Sequence, residues 1–335
     1  MRTNMNLQFD SPTDDIADYL LAHHLLDEKP TDATTEKPGE GNMNLLLRFA
    51  WPSGSYILKQ AKPYVNKYPD IPAPVERIAT EATYYDYANR SEALQSRSPK
   101  IHLYDAENHL IVMEDLGQSK DFLHLYQNDQ KPSEELIVQL LAYLNDLHHL
   151  PLDEETRKAF PENRKLRELN HQHIFVLPFQ ADNGFPLNDF LPGLQHYAEA
   201  YMQDIALTQK IKALGDIYLS PGQILLHGDF YPGSWMQTEN GLRIIDPEFG
   251  FMGRAEFDIG IFLAHLVLCG QDLQEAFAII DKHYKRPANF HPALVRHFAG
   301  AEILRRLLGI AQLPLDSFID QRAHLMRLAR QLVLS

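Results

Sequence analysis

The chain has 335 residues, 44% of them apolar, which suffices for two lobes with sizeable cores and excludes a disordered chain. A net charge of −14 speaks against nucleic acid as a partner, because such binding needs a basic surface to neutralise phosphates. No apolar run reaches membrane-spanning length, the N-terminal MRTNMNLQFD lacks a signal peptide's apolar core, and the lone Cys269 excludes an internal disulfide framework; a cytoplasmic location fits all three. No Cys/His spacing resembles a zinc site. His148-His149 and His171-Gln172-His173 read as ordinary surface or core histidines, and Cys269, inside the apolar run 259–269, as a packed small hydrophobe.

From the N-terminus, Ser11-Pro12-Thr13-Asp14 predicts a helix start with Ser11 as cap and Pro12 as first helical residue; Ile16, Tyr19, Leu20 and Leu26 form its apolar face. After a polar loop comes the Gly-containing turn Gly39-Glu40-Gly41-Asn42-Met43-Asn44, followed by a strand over 45–50. Such a turn is either a tight structural bend or a place where backbone N–H groups meet phosphates. Its position one strand before Lys59 favours the second. Residues 56–61 read as a strand with Lys59 in an apolar setting, and 75–87 as a helix carrying Glu76 and Glu81. Glu81 is the expected partner of Lys59, with Glu76 as the alternative. Strands over 100–104 and 109–113 then run into Glu114-Asp115-Leu116-Gly117, the expected hinge between lobes at about 114–118. Three-to-four-residue apolar spacing predicts helices over 134–150, 191–218, 255–268, 273–283 and 292–313. The fold class is therefore α+β, with a small mixed β-sheet lobe over 1–116 and a larger, mostly helical lobe over 117–335.

The stretch 226–260 carries the chemistry. Asp229 and the pair Asp246/Glu248 flank a short hairpin, 234–237 and 242–245, whose turn holds Asn240-Gly241, two residues that tolerate positive φ. Pairing those strands brings Asp229 and Asp246 together at one end. Carboxylates held so near each other need a cation or a shared proton, and Mg²⁺ carrying a nucleoside triphosphate is the obvious candidate. His227 reads as a brace for the loop.

At this point the chain resembles a family. The blocks GEGNMN at 39–44, LKQAKPYV at 58–65, RIATEA at 77–82, VMEDLG at 112–117, HGDFYPGS at 227–234, IDPEF at 245–249, FDIG at 257–260 and ILRRLLGIA at 303–311 follow, in order, the pattern of the aminoglycoside phosphotransferase/choline kinase superfamily, nearest its methylthioribose kinases. The resemblance implies a protein-kinase-like two-lobed fold, use of ATP and Mg²⁺, and transfer of the γ-phosphoryl group to a hydroxyl of a small metabolite, first of all a methylthioribose-like sugar. It implies Asp229 as catalytic base and Asp246, Glu248 and Ser234 at the metal. Lys59, supported by Glu81, would lie on the nucleotide phosphates, with Gly39, Gly41, Asn42 and Asn44 in the phosphate turn. Adenine would bond to backbone near Glu114 and Leu116, and Arg305 and Arg306 would act at the acceptor sugar and the transferring group. It also suggests a homodimer.

Two adjacent arginines on an apolar helix diverge by about 100°, so at least one is expected to lean into the protein. Most of the superfamily has Asn where this chain has Ser234; methylthioribose kinases carry Ser. Departures fall at Phe230-Tyr231-Pro232 and Gly253-Arg254-Ala255-Glu256, both expected to face the acceptor. The alternatives are a kinase of another alcohol (choline or ethanolamine, homoserine, an aminoglycoside), a nucleotide-binding pseudokinase, or a metal-dependent hydrolase.

Overall fold

Strands Leu45–Trp51 and Gly54–Gln60 form a hairpin in which alternate residues divide between two apolar layers. The computed structural model describes residues 5–335 except 40, 42, 128, 129 and 316. Leu45, Leu47, Phe49 and Leu58, with Leu110 and Val112, pack under the N-terminal helix Thr13–Ala22 through Ile16, Ala17, Tyr19 and Leu20. Ile57, Ile111 and Met113 point the other way, into the core shared with Ile78 and Tyr85 of helix Arg77–Ala88. Lys59 lies on that second face, which puts its ammonium at the helix and not in solvent.

The sheet runs Thr34–Glu36, Leu45–Trp51, Gly54–Gln60, Leu110–Glu114, Ile101–Asp105, and every pairing in it is antiparallel. The expected mixed sheet is corrected on this point. The helical crossover after Gly54–Gln60 would leave Ile101–Asp105 parallel to it, but Leu110–Glu114 folds back between them and makes both contacts antiparallel.

Helix Thr13–Ala22 starts one residue later than predicted. Pro12 is its boundary residue, and Ser11 accepts the Gln8 N–H instead of capping the helix. Leu26 lies beyond the helix end, although it still packs on the same cluster.

Beyond the hinge the chain pairs Lys120–Asp121 with the hairpin strand Trp235–Thr238, so the interlobe connection extends the hairpin sheet that follows Asp229. Helices Glu134–His148, Ala255–Leu268 and Leu273–His283 follow the predicted spans closely. Ala255–Leu268 is buried on all sides, as befits a helix apolar around its circumference. The single helix expected over 191–218 is two, Leu194–Met202 and Ile205–Leu219, because Asp204 starts the second by accepting the Leu207 N–H at 3.0 Å. The helix expected to reach 313 is Pro292–Leu308; Gly309 ends it, and the Gln312 amide caps the Leu307 and Gly309 carbonyls. A last helix, Ile319–Leu334, packs against Pro292–Leu308 and was not anticipated. No helix of the described residues is long and apolar enough to cross a membrane.

Candidate active site

The hairpin pairs Trp235–Thr238 with Gly241–Ile244, and the ladder is prolonged by Ile245 N–H donating to Ser234 O at 2.9 Å. Its two-residue turn is Glu239-Asn240; Gly241 alone takes positive φ (+94°), so the expected Asn240-Gly241 turn is shifted by one residue. Glycine at that place turns the strand out of the bend without a Cβ penalty.

At the open end of the hairpin, Asp229, Ser234, Asp246 and Glu248 line one cleft of about 760 Å³ together with Lys59, Asn44, Gly39, Gly41, Glu114 and Leu116. Asn42, assigned to the same turn, lies outside the described residues. A Cβ on Gly41 would sit 2.4 Å from Asn44 O, so only glycine lets the turn close on itself there.

Lys59 Nζ lies 2.8 Å from Glu81 and 2.6 Å from Asp246. Glu76 points away, to Lys165 at 2.6 Å. Burial alone would lower the Lys59 ammonium, yet Asp246, Glu81 and Glu248 converge on it and raise it far above the ordinary lysine value, so it is charged. Burial pushes the Glu81 carboxyl upward, and Lys59 opposes that shift. Asp246 holds a left-handed backbone (φ +61°), which aims its carboxylate, 45% exposed, into the cleft. Glu248 is buried and tied to Asn44 Nδ2 at 2.7 Å and to Arg77 Nε at 3.4 Å.

Asp229 sits at the tip of a braced loop. Asp258 accepts the backbone N–H groups of His227 and Gly228 at 2.7 and 3.0 Å and meets His148 at 3.2 Å. His227 Nε2–H donates to Ile245 O at 3.0 Å, and its Nδ1 accepts the Asp229 N–H at 3.4 Å. Burial lowers the His227 ring below the ordinary histidine value, so it is a neutral stitch between the loop and the strand before Asp246. Ser234 Oγ–H donates to Asp229 O at 3.0 Å.

At the hinge, the Glu114 N–H is spent on Lys100 O at 2.8 Å, and the Glu114 carboxylate accepts the Lys100 N–H. Leu116, two residues on, lies on the cleft wall. Asp115 takes both Arg48 Nε (2.8 Å) and Nη2 (3.0 Å), fixing the hinge to strand Leu45–Trp51.

Arg305 and Arg306 are both buried, although adjacent helical side chains diverge. The reason is Glu302, three and four residues earlier, whose carboxylate gathers Arg305 Nη1 at 2.9 Å and Arg306 Nε at 2.6 Å. Arg306 Nη2 then reaches Asp229 Oδ1 at 3.2 Å. Sequence reasoning missed Glu302, and with it His265, Asp258 and Arg77. A carboxylate one turn before twin arginines, in an otherwise apolar helix, was the available signal for the first. Arg254 lies away from this network, beside Glu256 at 3.8 Å.

Residues 34–298 match the phosphotransferase enzyme family. The chain is 27% identical to a methylthioribose kinase of Yersinia pseudotuberculosis, over 90% of this chain and 86% of that one. It is 26% identical to a methylthioribose kinase of Pectobacterium atrosepticum, over 99% and 95%. Among solved structures, its fold is similar to that of a choline/ethanolamine kinase family protein from Mesorhizobium loti (TM-score 0.54, 17% identity, 96% and 95% of the two chains). A spectinomycin phosphotransferase in complex with ADP and spectinomycin is similar in fold too (TM-score 0.53, 13% identity, 96% and 98%). The chain belongs to the phosphotransferase enzyme family and is an ATP-dependent small-molecule kinase that acts on a hydroxyl group.

Proposed function

We infer that the acceptor is a neutral sugar of the methylthioribose type and that Asp229 takes the proton of its reacting hydroxyl. The observation that carries this reading is the Arg306–Asp229 contact at 3.2 Å. A guanidinium on the proton acceptor offsets its charge and suits an uncharged polyol whose oxygen is about to gain phosphoryl charge. The methylthioribose kinases among the relatives support the same class.

In the transfer, the acceptor O–H proton passes to Asp229 as that oxygen bonds to the γ-phosphorus. The bond from phosphorus to the β,γ-bridging oxygen breaks, and ADP leaves. Lys59, aimed by Glu81, holds the nucleotide phosphates. The turn at Gly39, Gly41 and Asn44 covers them, and the Leu116 backbone beside Glu114 takes the adenine.

Asp246 and Glu248 would hold Mg²⁺. Both are hard oxygen donors on the cleft wall, and the Ser234 hydroxyl, whose proton is committed to Asp229 O, keeps oxygen lone pairs for the same shell. Among the described residues no group of three or more His, Cys, Asp or Glu makes a cage of its own, so phosphate oxygens would complete the coordination. The ion supplies positive charge that offsets the phosphates. The lobes divide near 116. A homodimer in the cytoplasm completes the reading, from the resemblance and from the single Cys269.

The test is ADP release with Mg-ATP across methylthioribose, ribose, homoserine, choline, ethanolamine and an aminoglycoside. Methylthioribose should turn over fastest. Choline or the aminoglycoside outrunning every sugar would overturn the assignment.

A further inference from the structure

Glu302 has no solvent exposure, yet three polar side chains from two helices meet on it, and a fourth, Tyr126, reaches it through His265. Its carboxylate takes Arg305 and Arg306 from its own helix Pro292–Leu308, and His265 Nε2 at 3.2 Å from helix Ala255–Leu268. His265 Nδ1 lies 2.6 Å from the Tyr126 hydroxyl, in the turn Leu123–Tyr126 that follows the hinge. The hydrogens in this chain have one consistent direction. A carboxylate only accepts, so His265 Nε2 carries the proton; Nδ1 is then an acceptor and Tyr126 must be its donor. Tyr126 thus fixes the histidine tautomer, the histidine fixes one Glu302 oxygen, and that oxygen receives Arg306 Nε at 2.6 Å. Below the guanidinium, Tyr231 closes the remaining side, its ring centroid 4.9 Å from Arg306 and 5.4 Å from His265.

The geometry decides what Arg306 can do. Its Nε is bonded to Glu302, which takes the Nε edge away from Asp229, and Nη2 makes the contact with Asp229 Oδ1. Without Glu302, a buried guanidinium would commit both nitrogens to Asp229 as a bidentate pair, the stronger arrangement for arginine and carboxylate. Such a pair would occupy the carboxylate oxygens that the acceptor hydroxyl needs. Glu302 shares one cation between two anions and keeps Asp229 accessible.

We propose that Glu302 is a positioning residue for phosphoryl transfer, set by Tyr126 and His265, that holds Arg306 to a single contact with Asp229. The proposal rests on the reading of Asp229 as proton acceptor. It concerns kcat and not nucleotide binding, since none of Tyr126, His265, Glu302, Arg305 or Arg306 lines the cleft.

Steady-state kinetics on the full chain test it, with Glu302→Gln, Tyr126→Phe, Arg306→Ala and the double variant Glu302→Gln/Arg306→Ala. Glu302→Gln should lower kcat about 10-fold to 100-fold with KM for ATP changed by less than about 2-fold. Tyr126→Phe removes one oxygen at the far end of the chain and should lower kcat in the same direction by less. In the Arg306→Ala background, Glu302→Gln should add less than about 2-fold, because it acts through that arginine. Wild-type kcat in Glu302→Gln, or an equal loss in both backgrounds, overturns the proposal. Should Glu302→Gln not fold, Tyr126→Phe decides: wild-type kcat there overturns it. Asp229→Asn separates the two readings. Full turnover in that variant removes the proton-acceptor role itself, whereas an inactive Asp229→Asn beside a fully active Glu302→Gln removes only the role of Glu302.

Discussion

Lys59 bridges Glu81 at 2.8 Å and Asp246 at 2.6 Å, one ammonium between a helix carboxylate of the small lobe and a cleft carboxylate of the large one. Removing it leaves Glu81, which has no exposure, without its countercharge. Lys59→Met should cost about 3–5 kcal/mol in denaturant unfolding, and adding Glu81→Gln should restore part of it. A Lys59→Met midpoint equal to wild type would show that the pair carries no stability.

Asp229 and Asp246 share a cleft but should separate in binding assays. Asp229→Asn is expected to lower kcat about 10²-fold to 10⁴-fold while nucleotide affinity by calorimetry stays near wild type. Asp246→Ala should weaken Mg-ATP affinity as well. Identical binding isotherms for the two variants would contradict the division of roles.

The loop that carries Asp229 tolerates little change at its base. Gly228 has φ +84°, and a Cβ there would fall 2.2 Å from Phe249 O. Gly228→Ala is expected to lose more than about 1 kcal/mol and most activity. Asp258→Ala, which frees two backbone N–H groups, should lose about 3 kcal/mol or more. Circular-dichroism melts and turnover on the same preparations check both; activity retained by either variant would show that the loop holds itself.

Stability should also fall on mild acidification. Burial chiefly, with Arg306 adding to it and Glu302 opposing, lowers His265 from 6.5 to about 4. The unfolded chain therefore binds a proton that the folded chain refuses. The associated stability is complete above about pH 6.5 and is lost as pH falls toward 4, at a limiting slope of about 1.4 kcal/mol per pH unit. His227, lowered by burial in the same direction, contributes with the same sign. His265→Asn should flatten the curve between pH 6.5 and 5 relative to wild type, and an unchanged slope would contradict this account.

Much of this site could be read from local pattern. Lys59 and Glu81 follow from a strand period and a helix period, and Asp229 with Asp246 from a hairpin whose ends must meet. What stayed hidden depends on contacts distant in sequence. The bond from the Asn44 amide to Glu248 spans 204 positions and has no local signal. Glu302 looked like any polar residue of an apolar helix until His265 arrived from another helix. The turn at Glu239-Asn240 slipped by one because Gly241 needed the left-handed conformation and Asn240 did not. Helix Ile319–Leu334 escaped because its inward residues Ala323, Met326, Ala329 and Val333 are spaced among charged neighbours.

The segment around Glu248 is gripped from both sides. Its side chain is held by Asn44 and Arg77 of the small lobe, while its own carbonyl and that of Gly250 are held by Asn163 at 2.7 and 3.2 Å. A short stretch anchored this way behaves as a shared axle. Glu248 is thereby linked to the turn before strand Leu45–Trp51 through Asn44 and to helix Arg77–Ala88 through Arg77, so its carboxylate cannot shift without disturbing both.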